Sequence, residues 1–504
     1  MKYLIGLDVG TSNVKAVLFD IEGNEVLVKS KPTDVIVFNH NWQEQDMNQV
    51  YDQCAECIKG IVNSGIAKPE DIIAVGLSGQ GEGVWMIDKD GKPVKRASLW
   101  SDGRSSGIVD RILKDDPDLA QLIFSTTGTQ PLPPATMMQL MWYNENTPEV
   151  FQNGNVVLNC KDWVRYRLTG NVAMEITDAS ISTLDSKTGD WPVEMFNAAG
   201  IGHLLQYLPK TMLKSYDNAG GITEYASMDT GLLVGTPVAA GALDVTATMV
   251  GVNAVNEGEI YSILGTTCCT GVVCDMKTTE LGKDLRHVRH PKDGLYINLM
   301  PTMAGTPNLD WVLENISDTS DFSEIEKHIK DIPAGSGGIV YHPYITPAGE
   351  RSPFYNPDAR AGFFGLSIHS SRWHMVKAVY EGIAYSIKDC LYDTEGKGNI
   401  YLAGGGSKSN MWSQIIADVT GRTVVLSEGT EFGAKGAAIL AGVCVGIYDD
   451  INEAAAKLCR VKSSCTPTPA NTAIYDELYK IYRASRIANM DLWHQREAIM
   501  RKFF

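Results

Sequence analysis

Residues 1–20 read MKYLIGLDVGTSNVKAVLFD, and the rest of the chain is organised around how this stretch folds. Tyr3–Val9 is an apolar run that stops at Gly10-Thr11-Ser12, and an apolar run resumes at Val14–Phe19. The pattern predicts strand, tight polar loop, strand. Asp8 is the odd member. A carboxylate at the end of an apolar strand is costly to bury unless a cation, a proton or several N–H groups compensate it. The glycine and two hydroxyl residues that follow can turn backbone N–H groups inward as an anion-binding nest. Phosphate oxygens at Gly10, Thr11 and Ser12, with a Mg²⁺ ion near Asp8, would satisfy both groups together. A surface hairpin whose Asp-x-Gly-Thr only turns the chain would show the same short motif.

A second copy separates these readings. Tyr261–Asp275 reads YSILGTTCCTGVVCD: an apolar strand enters Gly265-Thr266-Thr267 and a further strand closes on Asp275. The spacing from loop glycine to closing aspartate is the same in both copies, Gly10 to Asp20 and Gly265 to Asp275. Asp71–Gln80 (DIIAVGLSGQ) and Asn399–Ser409 (NIYLAGGGSKS) form another pair, each a strand ending in a glycine-polar loop. A half-chain repeat fixes architecture before any local motif does. Two related halves, each with an N–H-lined loop, suit a nucleotide held in a cleft between them. Ile263 stands where the first copy has Asp8, so one carboxylate site is implied.

At 504 residues the chain is too long for one core and predicts two large domains, divided as 1–247 and 248–504. A formal net charge of −16 leaves no basic stripe for a nucleic-acid backbone. Phosphate binding must then be local, through oriented N–H groups, a metal and a few cations. The ten scattered cysteines suit a reducing cytoplasm. Cys54-x-x-Cys57 has no second Cys-x-x-Cys to complete a zinc site and lies in a helix-like stretch, which favours buried thiols. The N-terminus enters a strand without a signal peptide, and no apolar run approaches the roughly 20 residues that span a bilayer. Membrane and nucleic-acid partners are therefore not expected.

Along the chain, Glu25–Ser30 continues an antiparallel meander, and a helix is expected over Met47–Ser64 with Asp46 or Asn48 near its N-cap. Ile72–Leu77 delivers Gln80-Gly81-Glu82, whose side chains can donate to and accept from hydroxyls, as sites for sugars and polyols do; a flexible turn is the plainer reading. Ser98–Arg104 (SLWSDGR) joins an aromatic face to Asp102 and Arg104, which would stack and grip a carbohydrate or simply pack a Trp beside a salt bridge. Residues 110–230 have the texture of an inserted lobe. Leu232–Leu243 reads as an apolar strand ending at Asp244, which is either a helix cap or a catalytic base. Gly404-Gly405-Gly406-Ser407 before the helix Met411–Thr420 fits close approach to a nucleotide. Glu431–Gly442 is a small-residue helix that packs on something flat, and Thr472–Phe504 is an amphipathic tail helix.

Taken together, the set resembles the FGGY carbohydrate kinases over essentially the whole chain. The matching stretches are DVGTSNVKAVLFD at 8–20, WQEQD at 42–46, GLSGQ at 76–80, LWSDGR at 99–104, GTPVAAGALD at 235–244, GTT at 265–267, GERSP and DARAGFFGLS within 349–367, EG at 381–382 and GGGSKSNMWSQIIAD at 404–418. The resemblance implies an α/β architecture of two actin-like, ribonuclease-H-like ATPase domains closing over ATP-Mg²⁺ and a sugar or polyol. It implies Asp244 as general base, Asp8 at the metal, and Gly10, Thr11, Ser12 and Lys15 with Gly265, Thr266 and Thr267 as phosphate loops. It further implies Gly404, Gly405, Gly406, Ser407 and Asn410 at the adenosine, and Gln80, Gly81, Glu82, Trp100, Asp102 and Asp244 on the sugar side. A homodimer is compatible with it. Gln80-Gly81-Glu82 departs from the Gln-Met-His of D-xylulose kinases and the Gln-Arg-Glu of glycerol kinases, and Leu243 beside Asp244 looks like the L-xylulose branch; erythritol kinases are the alternative. The rival class, a non-catalytic actin-like ATP-binding protein, shares the hairpin loops but has no reason for the clusters at 80–82 and 100–104.

Overall fold

The computed structural model describes residues 1–503 apart from His40, Gly154, Asn155, 276–284, Asp393 and Glu395. Two structural units result, and neither is continuous in sequence: Met1–Val255 joins Asp275–Ile297 and Gly429–Arg460, while Asn256–Cys274 joins Asn298–Glu428 and Val461–Phe504. The division at 247/248 falls inside the helix Asp244–Gly251. The segment Gly429–Arg460 belongs with the first unit for a steric reason. Its helix Phe432–Cys444 lies directly on the opening strand, so that a Cβ on Gly6 would stand 1.8 Å from the Ala434 carbonyl oxygen and one on Gly76 1.9 Å from that of Ala437.

In the first unit the strand Tyr3–Val9 pairs antiparallel with Asn13–Asp20, which pairs antiparallel with Glu25–Pro32. On its other edge it runs parallel to Ile72–Gly79. Side chains alternate across a strand, and the opening strand is covered on both faces. Ile5, Leu7 and Val9 share a core with Val50, Cys54, Ile58 and Ile61 of the helix Met47–Val62. That helix is N-capped by Asp46, whose carboxylate accepts from Asn48 N and Gln49 N. Leu4, Gly6 and Asp8 point the other way. There small residues (Gly6, Ala74, Gly76) admit the helix Phe432–Cys444 at backbone contact, and Asp8 ends that face. Burial of each large aliphatic side chain in these layers stabilises by about 1.5–3 kcal/mol.

The predicted strand over Leu232–Leu243 is instead two short ones, Pro237–Ala239 and Ala242–Leu243. Val238 pairs with Val75 and Ala242 with Ser78, so one extra residue is accommodated between them. Gly241, at φ +83 with a Cβ position 2.3 Å from the Leu77 carbonyl oxygen, absorbs it. Part of the 110–230 stretch has its own core, in which Met137, Met138, Leu140 and Phe196 pack with Val84 and Met86.

The second unit repeats the plan. Ile260–Leu264 pairs antiparallel with Cys268–Asp275 and parallel with Ile400–Ala403, which runs parallel to Val424–Ser427. The copies differ in register. Val9 pairs with Val14, whereas Leu264 pairs with Cys268, so the second loop is one residue tighter despite the equal glycine-to-aspartate spacing. A short strand, Val340–His342, pairs antiparallel with Gly362–Phe364. The tail helix spans Pro469–Phe503; Phe504, its expected end, lies outside the described residues. No helix among the described residues is long and apolar enough to cross a membrane.

Candidate active site

Parallel neighbours bring three loops together at one end of the first sheet. Val9 and Leu243 both register with Gly79, so Gly10, Gln80 and Asp244 follow the C-terminal ends of adjacent parallel strands. Open parallel sheets bind ligands at that end. Asp8 registers with Ser78, whose Oγ donates to Asp8 Oδ1 at 2.9 Å. The start of the helix Phe432–Cys444 closes the other side: a Cβ on Gly433 would stand 3.2 Å from the Asp8 carboxylate. Burial pushes the Asp8 carboxyl above the usual carboxylate range, against the pull of Ser78 and Lys15 and with a further push from Glu431. Lys15 Nζ is itself paired with Glu431 Oε2 at 2.7 Å.

Asp244 opens the helix Asp244–Gly251 and accepts from Val245 N at 2.6 Å. It is enclosed by protein without being sealed from solvent. Its carboxyl is pushed up to about 7, by burial first and by the Asp8 charge second, with the Val245 N–H opposing. Asp244 is the first residue of the helix and not its cap: the cap position falls on Leu243, which makes no side-chain cap bond, and the Val245 N–H orients the Asp244 carboxylate while leaving acceptor positions over.

Thr11 links the Gly10–Ser12 loop to the Gln80–Glu82 loop. Its Oγ1 donates to Gln80 Oε1 at 2.9 Å and accepts from Trp100 Nε1 at 2.8 Å, while Gln80 Nε2 donates to Gln45 Oε1 at 2.7 Å. Trp100 keeps an exposed ring. Gly81 is hemmed in: a Cβ there would lie 2.3 Å from Leu243 Cδ1, which explains why no larger residue stands between Gln80 and Glu82. Glu82 is buried at φ +57, its carboxyl raised by burial, and Arg286 Nη1 approaches its Oε2 at 3.4 Å. Asp102, by contrast, is saturated. Its Oδ1 accepts from Arg104 N and Nε, and its Oδ2 from Gln43 N and Arg104 Nη2, which fills the roughly four lone-pair positions a carboxylate offers. Cys54 and Cys57 lie in the core face of their helix, where burial raises both thiols.

In the second unit, Ile263 registers with Ala403, so the loops Gly265–Thr267 and Gly404–Ser407 leave neighbouring parallel strands side by side. Thr267 O accepts from Gly265 N at 2.9 Å, and Thr266 and Thr267 are exposed. Gly404, at φ +88, abuts the Leu264 carbonyl oxygen, with a Cβ position 2.5 Å away. Gly405 faces open space, with nothing within 4 Å of its Cβ position. Ser407 Oγ donates to Gly404 O at 2.7 Å, and Asn410 begins the helix Asn410–Thr420 behind a Ser409 cap.

Three groups at this site are absent from the residues that the sequence singles out, and only one of them has a local signal. Ser78 had a faint one, a hydroxyl within an apolar strand. Glu431 and Arg286 had none, since they reach Lys15 and Glu82 from 416 and 204 residues away.

A duplicated α/β unit with a glycine-polar hairpin loop in each copy defines the actin-like ATPase fold, and one sheet end of the first copy carries two acids, Asp8 and Asp244. The family model for the N-terminal domain of FGGY carbohydrate kinases matches residues 3–251, and that for the C-terminal domain residues 260–445. The chain belongs to the FGGY family of carbohydrate kinases, enzymes that take ATP as phosphoryl donor. It is 30% identical to the erythritol kinase of Brucella abortus over 97% of both chains, and 28% identical to the xylulose kinase of Bacillus subtilis over 96% of both. The crystal structure of ligand-bound xylulose kinase from Lactobacillus acidophilus matches with a TM-score of 0.91 at 25% identity, over 98% of this chain and 100% of that one.

Proposed function

We propose that this kinase phosphorylates a hydroxyl of a small sugar or polyol, with a pentulose such as L-xylulose as the leading substrate and erythritol or a related polyol as the second. The observation that carries the reading is that Asp244 and Gln80-Gly81-Glu82 follow the ends of adjacent parallel strands, a proton acceptor beside hydroxyl-reading groups. Asp244 takes the proton of the attacking hydroxyl, for which a carboxyl poised near neutrality is suited. Gln80 and Glu82 read substrate hydroxyls, Gly81 lets the loop approach Leu243, and Trp100 offers a stacking face. Asp102 acts indirectly, by holding the Trp100 loop through Arg104 and Gln43.

Gly10, Thr11, Ser12 and Lys15 serve the phosphates in the first unit, and Gly265, Thr266 and Thr267 in the second. Gly404, Gly405, Gly406, Ser407 and Asn410 receive the adenosine, a role that the open space over Gly405 supports. Mg²⁺ keeps several waters and takes one or two carboxylates plus phosphate oxygens. Asp8 fits that donor set, as a single carboxylate with one oxygen engaged by Ser78. The ion, when bound, supplies charge neutralisation at the transferring phosphoryl group. In this reading residues 1–247 carry the sugar-reading groups and the first phosphate loop, and 248–504 the second phosphate loop and the adenosine loop; the ten scattered cysteines support a cytoplasmic setting.

The test is ADP release against a panel of pentuloses, tetritols and glycerol. Turnover strongest with a pentulose is expected; preference for erythritol promotes the second reading, and no turnover by folded, ATP-binding protein overturns both.

A further inference from the structure

We propose that Thr177 and Asp178 are positioning residues that hold the sugar loop and the base in register with each other; this rests on the roles proposed above for Gln80–Glu82 and Asp244. The two residues stand in the short turn Ile176–Ala179, which is capped by Glu175. Thr177 Oγ1 gives its proton to Glu175 Oε2 at 2.7 Å. The hydroxyl oxygen is then left to accept, and it accepts from Leu243 N at 3.0 Å. Thr246 Oγ1 donates to Leu243 O at 2.8 Å. Both backbone groups of the residue before Asp244 are thus pinned, which fixes the direction in which the base leaves its strand.

Asp178 performs the matching task on the other loop. Its Oδ1 accepts from Glu82 N at 3.0 Å, where the backbone takes a left-handed φ of +57 that a non-glycine residue adopts only under constraint. The loops also touch: a Cβ on Gly81 would meet both Leu243 Cδ1, at 2.3 Å, and Asp178 Oδ1, at 2.9 Å. Lys161 ties the parts together, with Nζ 3.3 Å from Asp162, Glu175 and Asp178 alike, and every one of these side chains is fully buried.

A buried ion cluster is a poor device for stability, since apolar side chains of similar volume do as well or better. What this cluster provides is direction. Its hydrogen bonds end on two backbone N–H groups, Leu243 N and Glu82 N, and both belong to the loops that the proposed chemistry uses.

Steady-state kinetics of the full chain tests this, with the sugar and ATP varied separately. Asp178→Ala is expected to raise the sugar KM about tenfold and to leave the ATP KM within about twofold, while Asp178→Asn, which keeps an oxygen for Glu82 N but turns its amide toward Lys161, is expected to recover part of the loss. Thr177→Val, which strands Leu243 N, is expected to lower kcat about tenfold, and Thr177→Ser to restore it. Wild-type kinetics in both Asp178→Ala and Thr177→Val overturns the proposal. So does a loss that strikes both substrates equally and is not rescued by Asn or Ser. Should Asp178→Ala not fold, the Thr177 pair decides alone. Asp244→Asn separates the two levels of argument: if it stays active the reading of the base fails, whereas if it is dead and the other variants are normal only the positioning role falls.

Discussion

Gly436 lies against Ala247 so closely that a methyl group at 436 would stand 1.8 Å from the Ala247 carbonyl oxygen. Ala247 is in the first turn of the helix that Asp244 opens, and the contact recurs at the far end, where a Cβ on Gly251 would be 2.0 Å from the Phe432 carbonyl oxygen. The two helices therefore meet backbone to backbone, and the neighbour is a carbonyl that cannot swing aside. Gly436→Ala should cost about 1–3 kcal/mol or more and displace Asp244. A lower midpoint of thermal unfolding together with a lower kcat is the expected result. Gly107→Ala, on a helix and with open space around it, should leave both unchanged or slightly raise the midpoint.

If Asp244 is the base, as proposed, the pH dependence of the rate follows from it. A base works only when ionised, so with its carboxyl pushed up to about 7 the rate should climb roughly tenfold per pH unit below that value and level off above it. The Asp8 charge is one of the causes that raise it, so the limb measured on the residual activity of Asp8→Asn should move to lower pH. Stability runs the opposite way. The folded carboxyl sits above its ordinary value of 3.8, so the native state holds an extra proton between the two values, and the stability this confers is full below the lower one and lost as pH rises through about 7. Asp244→Asn should therefore unfold at a higher temperature than wild type at about pH 8 and at a similar one near pH 4, as calorimetry at the two pH values would show.

The parts of this protein that were legible in sequence are those with a local period. The paired hairpin loops, the amphipathic helix Met47–Val62 behind Asp46, and Asp8 as an acid at the end of an apolar strand could all be read from neighbouring residues. The texture of the helix Phe432–Cys444 was legible too, but the surface it lies on was not, because small residues announce a close approach without naming the partner; Gly6 and Gly76 complete that contact from the far end of the chain. Leu232–Leu243 misled because its apolar run hides the extra residue at Gly241, which only the pairing with Val75 and Ser78 exposes. Asp102 misled for a similar reason. Pairing of Gln45 with Ala97 carries Gln43 to Asp102, and nothing near 102 in sequence shows its oxygens to be taken by Gln43 and Arg104.

Arg286 offers a test of the proposed sugar loop, Gln80–Glu82, from a residue outside every motif. Glu82 is buried, and Arg286 is the cation beside it. Removal of one partner leaves the other charge buried without compensation, which is the costly way to break such a pair. Arg286→Met should raise the sugar KM about tenfold and the ATP KM hardly at all. Equal effects on the two constants would mean that Glu82 does not face the sugar.

Gly404 and Gly405 differ in a way that isolates the nucleotide. A side chain at Gly404 is opposed by the protein itself, through the positive φ and the Leu264 carbonyl oxygen 2.5 Å from its Cβ position. Gly404→Ala should consequently lower the unfolding midpoint as well as weaken ATP binding. A methyl group on Gly405 meets no protein atom within 4 Å and requires no unusual backbone, so the folded chain accepts it. Only a ligand seated over the loop would notice. If the adenosine lies there, Gly405→Ala should raise the ATP KM several-fold, and bulkier Gly405→Val further, with the sugar KM and the unfolding midpoint held. An ATP KM indifferent to both substitutions would place the nucleotide base away from residues 404–407.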